Sequence, residues 1–436
     1  MVVNYNGGAR AVQAVESLRA LEWPSERLDV VLVDNASTDG VASALRSTRA
    51  DVRVIEAGAN LGFGGGCNLG MGDLAGIDLV ALLNPDAVVE PDWLWRLAQA
   101  HDADPRLAGA CPKILFDVPF VEIELHSPTS TFGRGDHRPL GVLVSGARVA
   151  GEDVSHRVQF VHGFWGPEPG AEQTGPRQWS AGNALLRVPA LDDGSSAGCS
   201  LLLSAIGQRE IRLRCGDAQT VLHVDRHPRW HPLAVGGKPV EVINSVGVTV
   251  LDDGYAADRG WLQQDHGRWD ESVEVDAWSG AAVLLRAEHL RQVGRFDETL
   301  FLYYEDVELS LRARRAGWHH VAVPQAVARH VHSATVVAGS RLHQYFSERN
   351  RLLVLASYAP ARSVMAMAAR FLLVTASYAR RDGLAPLLRG ARPRWHVVRL
   401  RLAALAGFAR ALPPTLRRRA QGERKDVANR SEGSAE

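Results

Sequence analysis

The stretch Leu82-Leu83-Asn84-Pro85-Asp86-Ala87 constrains this chain most, because it puts an amide and a carboxylate where a buried apolar run, Asp78 to Leu83, stops. In open α/β sheets, ligands bind in the crevice outside the carboxyl ends of the strands. A carboxylate at that place can hold Mg²⁺ or Mn²⁺ against a diphosphate, since both cations prefer hard oxygen ligands. An Asp after a strand also serves as turn former or helix cap, so its meaning depends on what else reaches the same edge.

From the start to Phe116 strand and helix alternate. Val2-Val3, Asp29 to Val33, Val52 to Ala57 and Asp78 to Asn84 read as strands, with a helix from Arg10 to Leu21 and a glycine-rich turn and helix after the third strand. Val12, Val15, Leu18 and Leu21 form one helical stripe, and the strands are continuous Val/Leu runs, the pattern of a parallel sheet covered on both faces. This is a nucleotide-binding βαβ half. Residues 117–237 change texture to short alternating segments between Gly, Pro and Asp turns, which reads as an inserted β-sandwich. Helix–strand alternation then resumes. The α/β unit is therefore split into 1–116 and 238–345, followed by a helical region at 346–412 and a polar tail at 413–436 expected to be disordered.

Lys plus Arg equals Asp plus Glu at 49 each, so no global field selects nucleic acid as a partner. Cys67, Cys111, Cys199 and Cys215 show no paired spacing, which points to a reducing, cytoplasmic setting and away from structural zinc. No signal-peptide pattern opens the chain, and the first strand is short enough to suggest that a few residues precede it. The run Leu352–Ala379 is apolar but broken by Pro360, Arg362 and Arg370, so it does not read as a spanning helix. Between Arg389 and Lys425, ten arginines and one lysine face a single acid, Glu423; this basic region suits either contact with anionic lipid at the inner face of the plasma membrane or a solvated helix and tail.

Several groups fall at the predicted strand ends. Asn4 and Asn6 follow the first strand, and Asp34 and Asn35 the second, where short polar side chains can receive base and ribose groups; Ser37, Thr38 and Asp39 also suit helix capping. Asn60 to Gly70 (NLGFGGGCNLG) is too glycine-rich for a cap alone and implies a close backbone approach. It follows the third strand, not the first, which excludes a Rossmann dinucleotide fingerprint. In the late half, Asp306 shares a helical stripe with Leu309, Ala313 and Ala316 and so points inward from a helix's first turn, with Glu305 about 100° round. Burial raises such a carboxyl's pKa and the helix end lowers it, a balance suited to a general base; self-capping is the alternative. His330 and His332 share one face if extended, and either suits a metal ligand or a plain hydrogen-bonded histidine.

Taken together, VVNYNGG, VDNASTDG, NLGFGGGCNLG, LLNPDA, the Asn244–Gly260 stretch, WSGAAVLLR, FDETLFLYYEDVELSLRARRAGW, RHVHS and YFSERNRLL resemble the inverting family 2 glycosyltransferases of GT-A fold, particularly their bacterial rhamnosyltransferase-like branch. The resemblance covers residues 1–116 and 238 to about 355 and leaves the insert outside the family's usual core. It implies that Asp34 binds the donor base, that Asn84 and Asp86 stand at the family's DxD metal motif with one carboxylate where many relatives have more, that Asp306 is the base with Glu305 next in line, and that His330 completes the metal site. Donor contacts are then expected from Asn4, Asn6, Asp34, Asn35, Asn60, Gly64, Asn68 and Asn84, and acceptor contacts from Trp278, Ser279, Gly280 and Tyr304. The partners implied are Mg²⁺ or Mn²⁺, a nucleotide-diphosphate sugar, with dTDP-rhamnose favoured, and a glycan or lipid-linked acceptor. A nucleotidyltransferase is the first rival, but it wants a basic glycine-rich loop after strand one, and only Arg10 is near. A glycan-binding protein on a relic transferase fold is the second.

Overall fold

The computed structural model describes residues 1–436 except 134–135, 169–176, 191–197, 332–339, 391 and 433–436, with no side-chain description from 421 onward. His332 lies outside the described residues.

The chain forms two compact units, one of residues 1–114, 245–261 and 269–436, the other of 115–244 and 262–268. The first is built on a mixed sheet. Strand β1 (Val2–Asn4) pairs in parallel with β2 (Val30–Asp34) and β4 (Leu79–Leu83), and β2 pairs in parallel with β3 (Val52–Glu56). The strand Ala282–Arg286 then adds antiparallel to β4, setting Ala282 opposite Leu83. This reversal matters for the site: the start of Ala282–Arg286 lies at the same edge as the ends of β1, β2 and β4. Every residue of β1 and β2 is buried, as continuous apolar strands covered on both faces require. Helix α1 (Ala9–Arg19) presents Ala11, Ala14, Val15 and Leu18 to the core, the i, i+3, i+4, i+7 stripe of an amphipathic helix.

Helix α2 (Gly62–Met71) is made largely of glycine, which costs roughly 1 kcal/mol per residue relative to alanine in a helix interior. Tertiary packing explains the choice. A Cβ on Gly66 would stand 2.6 Å from Val3, one on Gly70 would run into Met1, and one on Gly64 would stand 3.0 Å from Phe296. The close approach expected of this run is thus to the protein's own β1 and to Phe296.

Among the described residues the second unit is a nine-stranded sheet. Its long strand Gln178–Pro189 pairs with Phe120–His126 through residues 183–189 and with Val142–Val149 through 178–179. Gly182, at φ 110°, sits between the two pairings and lets one strand serve both halves. The halves enclose a single core that includes Ile123, Leu186, Leu201 and Leu213, so the sandwich is one bent sheet rather than two separate ones. Phe160 and Phe164 pack on that core and on each other, with ring centroids 4.8 Å apart.

After the sheet come helices Arg341–Tyr358, Ala361–Tyr378, Ala385–Leu388 and His396–Glu432. Leu352, Leu353, Phe371 and Phe408 join in a small core with Leu300. The last helix continues through Pro413 and Pro414 to Glu432, so the expectation of a disordered tail from 413 is corrected up to that residue. No helix among the described residues is long and apolar enough to cross a membrane.

Candidate active site

The loops after β1 and β2 brace one another. Asn4 is fully buried; its Oδ1 accepts from Gly7 N at 3.0 Å, while its Nδ2 donates to Ser37 Oγ at 3.1 Å and Asp39 Oδ2 at 3.2 Å. Asn6, in a left-handed conformation at φ 56°, accepts from Thr38 N at 2.8 Å. Asp34 ends β2 beside Asn4, nearly buried, and accepts from Ser37 N at 3.3 Å. Although burial works to raise it, the Asp39 carboxyl is held below its usual range by N–H donors from Gly8 and Val41 and by the Asn4 amide. Asp39, read from sequence only as a cap, is the brace that ties the loops together.

Asn35 and Asn60 shape the next loop. Asn35 Nδ2 donates to Asn60 Oδ1 and to Gly62 O, both at 3.0 Å, and its Oδ1 accepts from Leu61 N at 2.9 Å. Asn68 accepts from Phe296 N and donates to Phe296 O, a side chain imitating a backbone partner. Asn35 and Asn68 hold the loop and helix in place, and Gly64 packs on Phe296.

At the end of β4, Asp86 and His330 meet. His330 Nε2 lies 3.2 Å from Asp86 Oδ1 and 3.4 Å from Asn84 Nδ2. The backbone fixes this pairing, because Ala328–His330 runs antiparallel to Ala87–Val89 and Val331 N donates to Asp86 O at 3.0 Å. Two neighbouring ligands of an octahedral ion with bonds near 2.1 Å stand about 3.0 Å apart, so this carboxylate–imidazole spacing fits a divalent cation, the nitrogen favouring Mn²⁺ over Mg²⁺. Among the described residues no three His, Cys, Asp or Glu side chains gather as a metal cluster. The protein would therefore supply two donors and leave the remaining positions to ligand oxygens.

Asp306 reaches the same edge from helix Glu305–Arg315. Its Oδ2 accepts from Gly280 N at 2.9 Å and its Oδ1 from Val307 N at 2.8 Å. The adjacent carbonyl, Ala281 O, accepts from Asn84 N at 2.9 Å, so consecutive residues join the Asp306 carboxylate to the Asn84-Pro85-Asp86 turn. Desolvation pushes the Asp306 pKa up, opposed by these N–H donors. Glu305, not Asp306, is the fully inward side chain: it is buried, its Oε2 has no partner, and burial followed by repulsion from Asp306 raises its pKa.

Three non-glycine residues just before this helix, Phe301, Tyr303 and Tyr304, have φ of 64°, 66° and 70°. Such strain persists only where surroundings over-determine it. Here Asn350, fully buried, donates through one amide to Leu300 O, Leu302 O and Tyr303 O at 2.8, 2.9 and 2.7 Å. Sequence reading missed Asn350, although it lies within YFSERNRLL. It also missed Asp258, whose pKa is raised to about 6 by burial, moderated by a hydrogen bond from Ser245, with Asp306 raising and His330 lowering it further. A third carboxylate thus lies within electrostatic reach of the other two elements.

On the expected acceptor side, Gly280 holds Asp306 and Ser279 precedes it. Trp278 is fully buried, edge-on to Phe296 and against Gly109, so its assignment as an acceptor contact is corrected to a core wall. The Tyr304 hydroxyl accepts from Ala256 N at 3.3 Å, and burial pushes its pKa to about 12.

Residues 1–144 match the family model Glycosyl transferase family 2, and residues 218–353 match Glycosyltransferase like family 2. With the mixed sheet and the carboxylates at its edge, they define the molecule as a glycosyltransferase. It belongs to the family 2 glycosyltransferases and has the GT-A fold, with a C-terminal helical region. Among curated proteins it is similar to N-acetylglucosaminyl-diphospho-decaprenol L-rhamnosyltransferase of Mycobacterium tuberculosis, 25% identical over 342 residues that cover 76% of this chain and 74% of the relative. Among solved structures it is similar to the mannosyltransferase PcManGT from Pyrobaculum calidifontis in complex with GDP-Man and Mn²⁺, at 13% identity and TM-score 0.39, covering 94% of this chain and 85% of that one. It is also similar to GalNAc-T7 with UDP, GalNAc and Mn²⁺, at 13% identity and TM-score 0.40, covering 82% of this chain and 49%, about half, of that one.

Proposed function

We propose that this chain is an inverting, metal-dependent glycosyltransferase that moves a hexosyl group, rhamnose from dTDP-rhamnose, onto a hydroxyl of a lipid-linked glycan in cell-wall or surface polysaccharide synthesis. The observation carrying this reading is the link from Asp306 through Gly280 and Ala281 to Asn84 and on to the Asp86–His330 pair, which sets a base candidate and a cation-binding pair at one sheet edge. The choice of rhamnose and of a lipid-linked acceptor follows the mycobacterial relative's name. The setting in this reading is the cytoplasm, at the inner face of the plasma membrane.

In this mechanism Asp306 takes the proton of the acceptor hydroxyl. The freed oxygen forms its bond to the anomeric carbon as the bond from that carbon to the diphosphate breaks, and the configuration inverts. In this reading Asp34 would receive the base or ribose, with Asn4 bracing the loops around it, and Asn84 would face the diphosphate. A divalent cation held by Asp86 and His330 would supply neutralisation of the departing diphosphate's charge. Asp306 is suited to the base role because its raised pKa makes it a stronger proton acceptor than an ordinary aspartate.

The test is a nucleotide-sugar panel with Mn²⁺, scored first by thermal shift and then by release of the nucleoside diphosphate in the presence of a polyprenyl-diphospho-N-acetylglucosamine acceptor. Stabilisation by dTDP-rhamnose and acceptor-dependent dTDP release are expected. Pyrophosphate as product would instead indicate a nucleotidyltransferase, and no diphosphate release with any donor would indicate a glycan binder.

A further inference from the structure

Helix Ala361–Tyr378 is apolar on two opposite sides. One side, with Phe371 and Thr375, is buried in the small C-terminal core. The other carries Met365, Leu372 and Leu373 on one helical stripe, all exposed, with Leu373 at 72%. Leu384, Leu387 and Leu388 follow in the next turns, also exposed, Leu388 at 89%. Scattered surface leucines need no explanation, but a run of this kind marks an interaction surface.

The charge on this segment indicates the partner. Between Ala361 and Leu402 nine arginines stand against one acid, Asp382. Arg362, Arg370, Arg380 and Arg389 are exposed beside the apolar stripe, and Asp382 is already paired with Arg381. A second copy of the chain would bring like charges together. An anionic bilayer answers both features, since leucine and methionine enter the headgroup–acyl boundary while arginines meet lipid phosphates. The helix is not apolar enough to span, so it would lie in the plane of the surface.

We infer that the face formed by Met365, Leu372, Leu373, Leu384, Leu387 and Leu388, flanked by arginines, docks this protein on an anionic lipid bilayer. This deepens the proposed reading by naming the surface that meets the acceptor's membrane, yet it stands on residues outside the reaction site. A failure of one is therefore separable from a failure of the other.

The experiment is cosedimentation of the full chain with phosphatidylcholine vesicles with and without phosphatidylglycerol, in the absence of any nucleotide sugar. Binding is expected only with the anionic lipid, and it should weaken by about tenfold or more when salt rises from about 0.1 M to about 0.5 M. Leu373→Glu with Leu388→Glu should cut partitioning at least about tenfold. Arg370→Gln with Arg389→Gln should do so by a similar factor. Leu388 is so exposed that Leu388→Glu alone has little packing to lose, and thermal melts and donor-induced thermal shifts of all variants should match the unsubstituted protein. Absence of vesicle binding, binding unaffected by these substitutions, or a dimer in sedimentation velocity that the same substitutions dissociate without any vesicle binding would each overturn the inference.

Discussion

Gly280 donates its backbone N–H to Asp306 Oδ2 at 2.9 Å, which fixes one oxygen of the proposed base from a strand that itself borders the Asn84-Pro85-Asp86 turn. Asparagine at 306 can keep its Oδ1 toward Gly280, but it turns an amide donor toward Val307 N and so loses that hydrogen bond, and it cannot take a proton. Asp306→Asn should lower kcat by about 10²- to 10⁴-fold while leaving donor affinity nearly unchanged and costing about 1 kcal/mol of stability for the lost Val307 bond, as steady-state kinetics and a donor-titrated thermal melt will read. Near-normal turnover would move the base elsewhere, to Glu305 first.

The acid limb of activity should sit higher than for an ordinary aspartate, because burial raises the Asp306 pKa and only the deprotonated form accepts a proton. Asp258 carries negative charge within reach of Asp306, and that repulsion acts on both groups. Asp258→Asn should therefore shift the acid limb of the kcat–pH profile to lower pH. A limb that stays in place would remove Asp258 from the site's electrostatics.

Stability should respond to the same burial. Glu305 has a folded pKa above its unfolded one, so its contribution is complete below the unfolded pKa and is lost as pH rises through the raised folded value. Melting temperatures taken from about pH 5 to about pH 9 should fall less in Glu305→Gln than in the unsubstituted chain. An identical slope in both would mean that the carboxyl titrates normally in the fold.

Removing either member of the proposed cation-binding pair, Asp86 and His330, tests the metal reading. Asp86→Ala and His330→Ala should each reduce kcat/KM by at least about 10²-fold, since a catalytic cation contributes several kcal/mol. Both should also abolish the stabilisation by Mn²⁺ plus nucleoside diphosphate seen in thermal melts. Retained Mn²⁺ stabilisation in both variants would place the cation away from this pair.

Asn350 meets three carbonyls with one amide, and Leu cannot replace those bonds at similar volume. Asn350→Leu should destabilise the fold by about 2–3 kcal/mol in denaturant melts, the cost of leaving buried acceptors unmade. Because the loop it holds leads into Glu305 and Asp306, kcat should fall more than KM changes.

Much of the sheet and its ligand edge was legible in the sequence, because apolar runs ending in Asn4, Asp34 and Asn84 announce strand termini by composition alone. The roles of Asn35, Asn68 and Gly64 were not legible, since what each meets (Leu61, Phe296, or another loop) is set by tertiary packing across distant segments. Trp278 is expected at the acceptor only through the resemblance, and its burial against Phe296 and Gly109 is set by tertiary packing that the sequence does not display. Asp258 sits in a three-residue strand, too short for alternation to register, and its meaning comes from neighbours nearly fifty positions away. Asn350 hid inside an amphipathic helix, where a buried amide has no periodic signature.

Gly280 and Ala281 are consecutive, and one steadies the proposed proton acceptor while the carbonyl of the other anchors the turn that bears the proposed cation ligand. If the proposed roles hold, the interval between deprotonation and departure of the leaving group is set by main chain, which side-chain replacement leaves intact. In the proposed reaction a single dipeptide would serve as the ruler between the two roles.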